Sequence, residues 1–339
     1  MRAAVRAIEY YLPKQALTNH DLATLFPDWP AEKIEDKTGI KERRVAAADE
    51  CASDLGAAAA QKLFENGACR PEEIDYVVLC TQSPDYFLPT TACVLQERLG
   101  LRTGVGAIDV NQGCSGFVYG LGLAKGLVET GQAERVLLIT AETYSKFIHP
   151  GDKSVRSLFG DGAAATLISA ISADGPTLLG PFVYGTDGRG ARNLIVPSGA
   201  ARTPREPDAA ETRDESGNTR TVNHLYMNGP SIFAFTLKVV PDAITRLKQI
   251  AGLGPEDVRL YVLHQASGYM LDHLRLKLQL PRERFAVALS HCGNTVSSTI
   301  PIALKCAQAS GGLHAGDRII VVGFGVGYSW AAAVLTWTP

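Results

Sequence analysis

Pro71-Glu72-Glu73-Ile74-Asp75-Tyr76-Val77-Val78-Leu79-Cys80-Thr81-Gln82-Ser83 reads as an acidic helical turn opened by proline, followed by a short buried strand. The same pattern returns 184 positions later as Pro255-Glu256-Asp257-Val258-Arg259-Leu260-Tyr261-Val262-Leu263-His264-Gln265-Ala266-Ser267. A second pair, Glu134-Arg135-Val136-Leu137-Leu138-Ile139 and Asp317-Arg318-Ile319-Ile320-Val321-Val322, is offset by 183. Two unrelated segments that share nearly one offset point to an internal duplication, with a period far too long for a solenoid. Each copy alternates strands with helices, so the expected fold class is α/β, two layered halves with largely parallel strands. Ile171 to Pro176 is the natural boundary, which gives halves of 1–173 and 174–339.

The duplication has a chemical consequence. It pairs Cys80 with His264 and carries Cys114 onto Ser297, three residues past Asn294. Cys114 lies in Asp109-Val110-Asn111-Gln112-Gly113-Cys114-Ser115-Gly116, after the apolar run Val105 to Ile108 and before a small-residue helix over about 115–129. It therefore sits where a strand turns sharply into a helix, between Gly113 and Gly116. A thiol there meets free N–H groups and the positive end of the helix dipole, which favour thiolate. The same donors suit a developing oxyanion. A buried structural cysteine is the plain alternative. If the halves pack about a pseudo-twofold axis, the strand-end loops bearing Cys114, His264 and Asn294 converge there.

The bulk of the chain is consistent with an enzyme. Of 339 residues, 46% are hydrophobic and 20% charged, which suits a large compact core. A net charge of −2 gives no reason to expect nucleic acid or an anionic membrane as partner. Seven scattered cysteines without a Cys-x-x-Cys pair argue for a reducing compartment and against a structural zinc site. The N-terminus lacks the apolar core of a signal peptide, and no run approaches the roughly 18 apolar residues of a membrane span. A cytoplasmic protein is expected. Residues 198–223 shift to Arg, Glu, Asp, Thr, Gly and Pro, and read as a long exposed insertion, free to move. A helix over 226–243 follows, with Met227, Phe233, Phe235 and Leu237 assigned to core.

Taken together, these residues resemble the β-ketoacyl-acyl-carrier-protein synthase III family, condensing enzymes of the thiolase superfamily. Thr38-Gly39-Ile40-Lys41-Glu42-Arg43, Phe159-Gly160-Asp161-Gly162-Ala163, His264-Gln265-Ala266, Gly293-Asn294-Thr295 and Gly323-Phe324-Gly325-Val326-Gly327-Tyr328-Ser329-Trp330 are similar to its motifs, in family order. The resemblance implies a five-layered αβαβα thiolase-like fold. It implies decarboxylative Claisen condensation of an acyl group held on Cys114 with malonyl-acyl-carrier-protein, in fatty-acid or specialised acyl or polyketide biosynthesis. His264 and Asn294 would both donate hydrogen bonds to the malonyl thioester carbonyl, so His264 should present a protonated Nε2. The backbone N–H groups of Cys114 and Val326 would form the oxyanion hole. The acyl pocket would involve Leu88, Phe159 and Gly229, with Leu88 reaching a partner subunit. Lys33, Lys37, Lys153 and Ser267 would line the entrance for the thioester or its carrier. No metal or organic cofactor is implied; the implied partners are acyl carrier protein, an acyl thioester from that protein or from coenzyme A, and a second copy of the chain.

Several positions depart from the family pattern. Lys33 and Lys153 stand where it has the tryptophan and arginine that sandwich the coenzyme A adenine, and lysine cannot stack in that way. Ser267 replaces an asparagine, Pro230 another, and Tyr269 a basic residue. Val326 replaces a glycine, where a positive φ would be strained. An acyl group delivered on a carrier protein is therefore at least as well supported as acetyl-coenzyme A. The alternative on the same scaffold is acyl transfer to an alcohol or amine, without decarboxylation. A non-catalytic partner subunit would normally have lost the cysteine. A cysteine protease uses the same three residue types, but the papain-like signature is missing. Gly185 to Gly190 lacks the lysine of a phosphate loop and reads as a turn.

Overall fold

The computed structural model describes residues 1–338. The apolar runs of the two copies form the centres of two sheets. In the first, Arg2–Tyr11, Gly162–Ile171, Arg135–Glu142, Tyr76–Cys80 and Gly106–Val110 lie side by side in that order. In the second, Leu179–Thr186, Ser329–Thr336, Arg318–Gly325 and Leu260–Leu263 repeat the first four places. Phe285 makes a parallel bridge to Tyr261 where the fifth strand would lie.

The strands are less parallel than the repeat pattern suggests. Tyr76–Cys80 runs parallel to both its neighbours, and Leu260–Leu263 to Arg318–Gly325. The other pairs in the two sheets are antiparallel. For one of these pairs the cause is connection length. Only residues 326–328 join Arg318–Gly325 to Ser329–Thr336, enough for a hairpin but not for a crossover.

Helices fill three further layers. Gly116–Glu129 and Thr299–Ala309 lie between the sheets, where Phe117, Leu121, Ile300 and Leu304 share one core with Val78, Leu138, Val262 and Val321. Ala52–Glu65 and Thr91–Arg98 cover the outer face of the first sheet through Leu55, Leu63 and Leu95. Gly229–Ala251 and Gly268–Lys277 cover the second through Ile244, Leu247, Leu271 and Leu274. Strands buried on both faces explain the continuous Val, Ile and Leu runs. The result is the expected αβαβα layering.

Two local expectations need correcting. The long helix begins at Gly229 rather than Tyr226, because Asn228 caps it (Ser231 N–H to Asn228 Oδ1, 3.1 Å) and Tyr226–Met227 pairs as a strand with Leu194–Ile195. The insertion is exposed over much of its length but tethered. Thr212–Arg213 pairs with Thr219–Arg220, and Arg220 donates to the fully buried Asp152 (2.8 Å) and to Asp214 (2.9 Å). That ion pair joins residues distant in sequence, beyond the reach of a composition reading.

On the opposite side, Gly106–Val110 is a sheet edge with Ile108 exposed. Phe87 (84% exposed) and Leu88 (82%) project from the loop before Thr91–Arg98. No helix among the described residues is long and apolar enough to cross a membrane.

Candidate active site

Cys114 immediately precedes Ser115, the N-cap of Gly116–Glu129, so the strand-to-helix turn forms as the sequence suggests. What was not visible is how tightly the second half closes on it. A Cβ at Gly325, the last residue of its strand, would stand 2.8 Å from Cys114 Cβ and 2.9 Å from its Sγ. A Cβ at Gly323 would stand 2.6 Å from Ser115 Cα. Gly323 is there because backbone meets backbone, and Gly325 because the Cys114 side chain fills the space a Cβ would take.

Cys114, His264 and Asn294 are buried and line one cavity of about 440 Å³. Phe159, Gly229 and Ser267 line it too. So do Met227 and Phe233, assigned above to core; an apolar side chain packs equally well against a neighbour or against a void, and the sequence does not distinguish them. Val326 follows Gly325 and packs against the cluster that holds Cys114. Its φ is not positive, so the strain that a valine would suffer there does not arise.

The remaining assigned residues lie elsewhere in the chain. Leu88 projects into solvent, as above. Lys33 and Lys37 are exposed on Ala31–Thr38. Lys153 pairs with Asp28 (2.6 Å) and lies 5.7 Å from the centre of the Trp29 ring. None of these four lines the cavity.

Within the site Val296 is strained, with φ +55°. A β-branched side chain in that region costs about 1–3 kcal/mol and persists where the surroundings impose it. Here the strained peptide serves two groups. The Val296 N–H donates to Asn294 Oδ1 (2.9 Å), which leaves the carboxamide N–H₂ as the donor available to the cavity. The Val296 carbonyl accepts from Thr299 Oγ1 (3.0 Å), and Thr299 Oγ1 is 2.7 Å from His264 Nδ1. Asn294 itself is fixed by backbone bonds to Leu158 (2.9 Å) and Gly160 (3.0 Å), and His264 by its N–H to Val322 (2.8 Å).

Burial decides the protonation states. It pushes the Cys114 thiol up to about 12, with the Glu142 carboxylate adding to the rise and the cysteine's own N–H opposing it. The resting sulfur is therefore held as a thiol rather than the thiolate expected from the helix terminus; desolvation outweighs the cysteine's own N–H. Burial also holds His264 down to about 3, so its imidazole is neutral. Beneath the site Glu142, fully buried, accepts from Gln82 N (3.1 Å), Ser83 Oγ (3.1 Å) and Ser297 Oγ (2.9 Å), and is pushed up to about 8 by burial. It is thus largely protonated at neutral pH, and its repulsion of a Cys114 thiolate grows only above that. Val296, Thr299 and Glu142 were not singled out from sequence; the hydroxyl run Ser297-Ser298-Thr299 beside Asn294 was the available signal. No group of three or more His, Cys, Asp or Glu side chains among the described residues could hold a metal ion.

Family models described as 3-oxoacyl-[acyl-carrier-protein] synthase III match residues 108–188, and its C-terminal part residues 249–337. The β-ketoacyl-[acyl-carrier-protein] synthase III of Caldanaerobacter subterraneus subsp. tengcongensis is 37% identical over 328 residues, 97% of this chain and 96% of that protein. A crystal structure of a 3-oxoacyl-(acyl-carrier-protein) synthase III superposes with a TM-score of 0.98 at 57% identity, covering 99% of this chain and 100% of that one. The priming β-ketosynthase of the R1128 polyketide pathway superposes with a TM-score of 0.85 at 29% identity, covering 99% and 96%. The chain belongs to the β-ketoacyl-acyl-carrier-protein synthase III family of thiolase-fold condensing enzymes.

Proposed function

We propose that the chain condenses an acyl group, held as a thioester on Cys114, with malonyl-acyl-carrier-protein to give a β-ketoacyl product. The Cys114 sulfur attacks the acyl thioester, and the N–H groups of Cys114 and Val326 receive the tetrahedral oxyanion, each such donor being worth about 10²–10³ in rate. His264 Nε2–H and Asn294 Nδ2–H then hold the malonyl carbonyl oxygen as carbon dioxide leaves. The enolate carbon attacks the Cys114 thioester. No metal or organic cofactor takes part. The observation that carries this reading is that Cys114, His264 and Asn294 line one largely apolar cavity, with the Asn294 carboxamide turned by the Val296 N–H to donate.

The enzyme works as a cytoplasmic homodimer, its two halves dividing at 173/174. The unpaired edge Gly106–Val110, with Ile108, Phe87 and Leu88 exposed beside it, supports pairing with a second copy, because an open apolar edge invites another strand. Leu88 then reaches the partner's acyl pocket. Lys33, Lys37 and Lys153 lie outside the cavity and act on the carrier that brings the thioester.

The test is a panel of acyl thioesters on coenzyme A and on carrier protein, followed by mass spectrometry of Cys114. Malonyl-carrier protein is then added and carbon dioxide measured. An adduct on Cys114 with release of carbon dioxide is expected. An adduct without it would favour ester or amide formation, and no adduct would overturn both.

A further inference from the structure

Thr299 stands directly behind the His264 ring, and both are buried. Its Oγ1 lies 2.7 Å from His264 Nδ1 and 3.0 Å from the Val296 carbonyl oxygen. A hydroxyl has one proton to give. Given to Nδ1, it obliges the neutral imidazole to carry its proton on Nε2. Given to the Val296 carbonyl, it obliges Nδ1–H to donate to Oγ1, and Nε2 becomes a bare lone pair. With Nδ1 engaged on Thr299, Nε2 is the ring nitrogen left for the cavity that His264 lines.

The reaction proposed above needs Nε2 in both states. In acylation Cys114 starts as a thiol. As its sulfur bonds the acyl carbon and the old C–S bond breaks, the S–H proton is relayed through a bare Nε2 to the donor's departing thiolate in one concerted passage, so no buried imidazolium accumulates. In condensation the bond to the malonyl carboxylate breaks and its electron pair moves onto the thioester oxygen, where Nε2–H and Asn294 Nδ2–H must both donate. The enolate carbon then bonds the acyl carbon. The Cys114 C–S bond breaks, and the sulfur takes a proton from solvent.

We propose that Thr299 is a positioning residue whose hydroxyl turns between His264 Nδ1 and the Val296 carbonyl, and so sets the imidazole tautomer that each half-reaction meets. This rests on the condensing function proposed above.

Thr299→Val keeps the shape and removes the hydroxyl. Nδ1–H is then left to the Val296 carbonyl, which fixes Nε2 as an acceptor. Single-turnover acylation of Cys114 should stay within about threefold of the unaltered enzyme, while decarboxylation of malonyl-carrier protein falls about 100-fold, and Thr299→Ser should restore it. Equal losses in both half-reactions, or no loss of decarboxylation, would overturn the proposal. Nitrogen-15 spectra of His264 give an independent readout. Proton exchange between Nδ1 and Nε2 is expected with Thr or Ser, and protonated Nδ1 alone with Val. A single unchanging tautomer in all three refutes it, as does a Thr299→Val chain that folds only with both activities lost. Failure of the unaltered enzyme to acylate Cys114 would instead remove the function reading itself.

Discussion

Replacing Gly325 by alanine tests whether that glycine is what admits the nucleophile. The new Cβ would stand 2.8 Å from Cys114 Cβ and 2.9 Å from Sγ. Ordinary carbon contacts begin near about 3.5 Å, so roughly 0.7 Å must be found somewhere. Rotation of the cysteine side chain moves Sγ but leaves the Cβ collision. Sliding the strand is blocked one pair of residues earlier, where Gly323 already lies against Ser115 and Cys114 carbonyl atoms. The Gly325 backbone is further held by pairing with Ser329. The turn bearing Cys114 must therefore yield. Overpacking of this kind costs about 1–3 kcal/mol of stability, and a displaced reacting atom costs on the order of 100-fold in rate. Single-turnover acylation, followed by mass spectrometry, should slow by about that factor, and urea unfolding should show the stability loss. Acylation within about threefold of the unaltered enzyme, at unchanged stability, would refute the claim that backbone closeness at Gly325 positions the thiol.

Glu142→Gln should flatten the pH dependence of stability. Burial raises the carboxyl to about 8 in the folded chain, so its contribution is fully present below the unfolded value near 4.5 and is lost as pH rises through 8. The unfolding free energy of Glu142→Gln relative to the unaltered chain should therefore climb by up to about 1.4 kcal/mol per pH unit in that window, read by urea unfolding at several pH values. A constant difference would mean that Glu142 is ionised throughout. Gly126→Ala, at an exposed point of Gly116–Glu129 where a Cβ would meet nothing within 4 Å, should raise stability by about 0.8–1 kcal/mol in thermal or urea melts. Ile108→Lys should break the proposed edge pairing, and light scattering should show monomers where the unaltered chain gives dimers.

Much of the fold was legible because a strand buried on both faces must be written in apolar residues. Two such runs at one offset mark the two halves. The convergence of Cys114, His264 and Asn294 on one cavity was legible in other ways: Cys114 from the strand-to-helix turn between Gly113 and Gly116, His264 from its pairing with Cys80 in the duplication, and Asn294 from the Gly293-Asn294-Thr295 motif. The electrostatics were not. A helix terminus beside Cys114 can be read locally, whereas the burial that keeps the sulfur protonated comes from both halves closing over it. Val296 hid its role in a different way. Valine disfavours a positive φ, so nothing in the letter announces a peptide that orients Asn294 on one side and accepts from Thr299 on the other. The reversed strand Ser329–Thr336 could have been inferred from its three-residue connection, had length been weighed above the repeat pattern.

The duplication also bears on why the proposed nucleophile stands on only one of two equivalent turns. Positions 183 apart make reciprocal contacts across the halves. Gly325 lies against Cys114, and its counterpart Glu142 accepts from Ser297, the counterpart of Cys114. Gly323 lies against Ser115, and its counterpart Thr140 bonds Ser298 at 2.9 Å. The contacts are the same and the side chains differ. Where the facing strand ends in glycine, nothing but backbone meets the turn, and a sulfur has room beside the cavity. Where it ends in a buried carboxyl, the hydroxyl of Ser297 is committed to that carboxyl, and the turn becomes a polar strut between the sheets. On the proposed mechanism, the residues at two strand ends thus split an old symmetry into a working side and a supporting side. A nucleophile at Ser297 would need Glu142 removed as well as a cysteine installed.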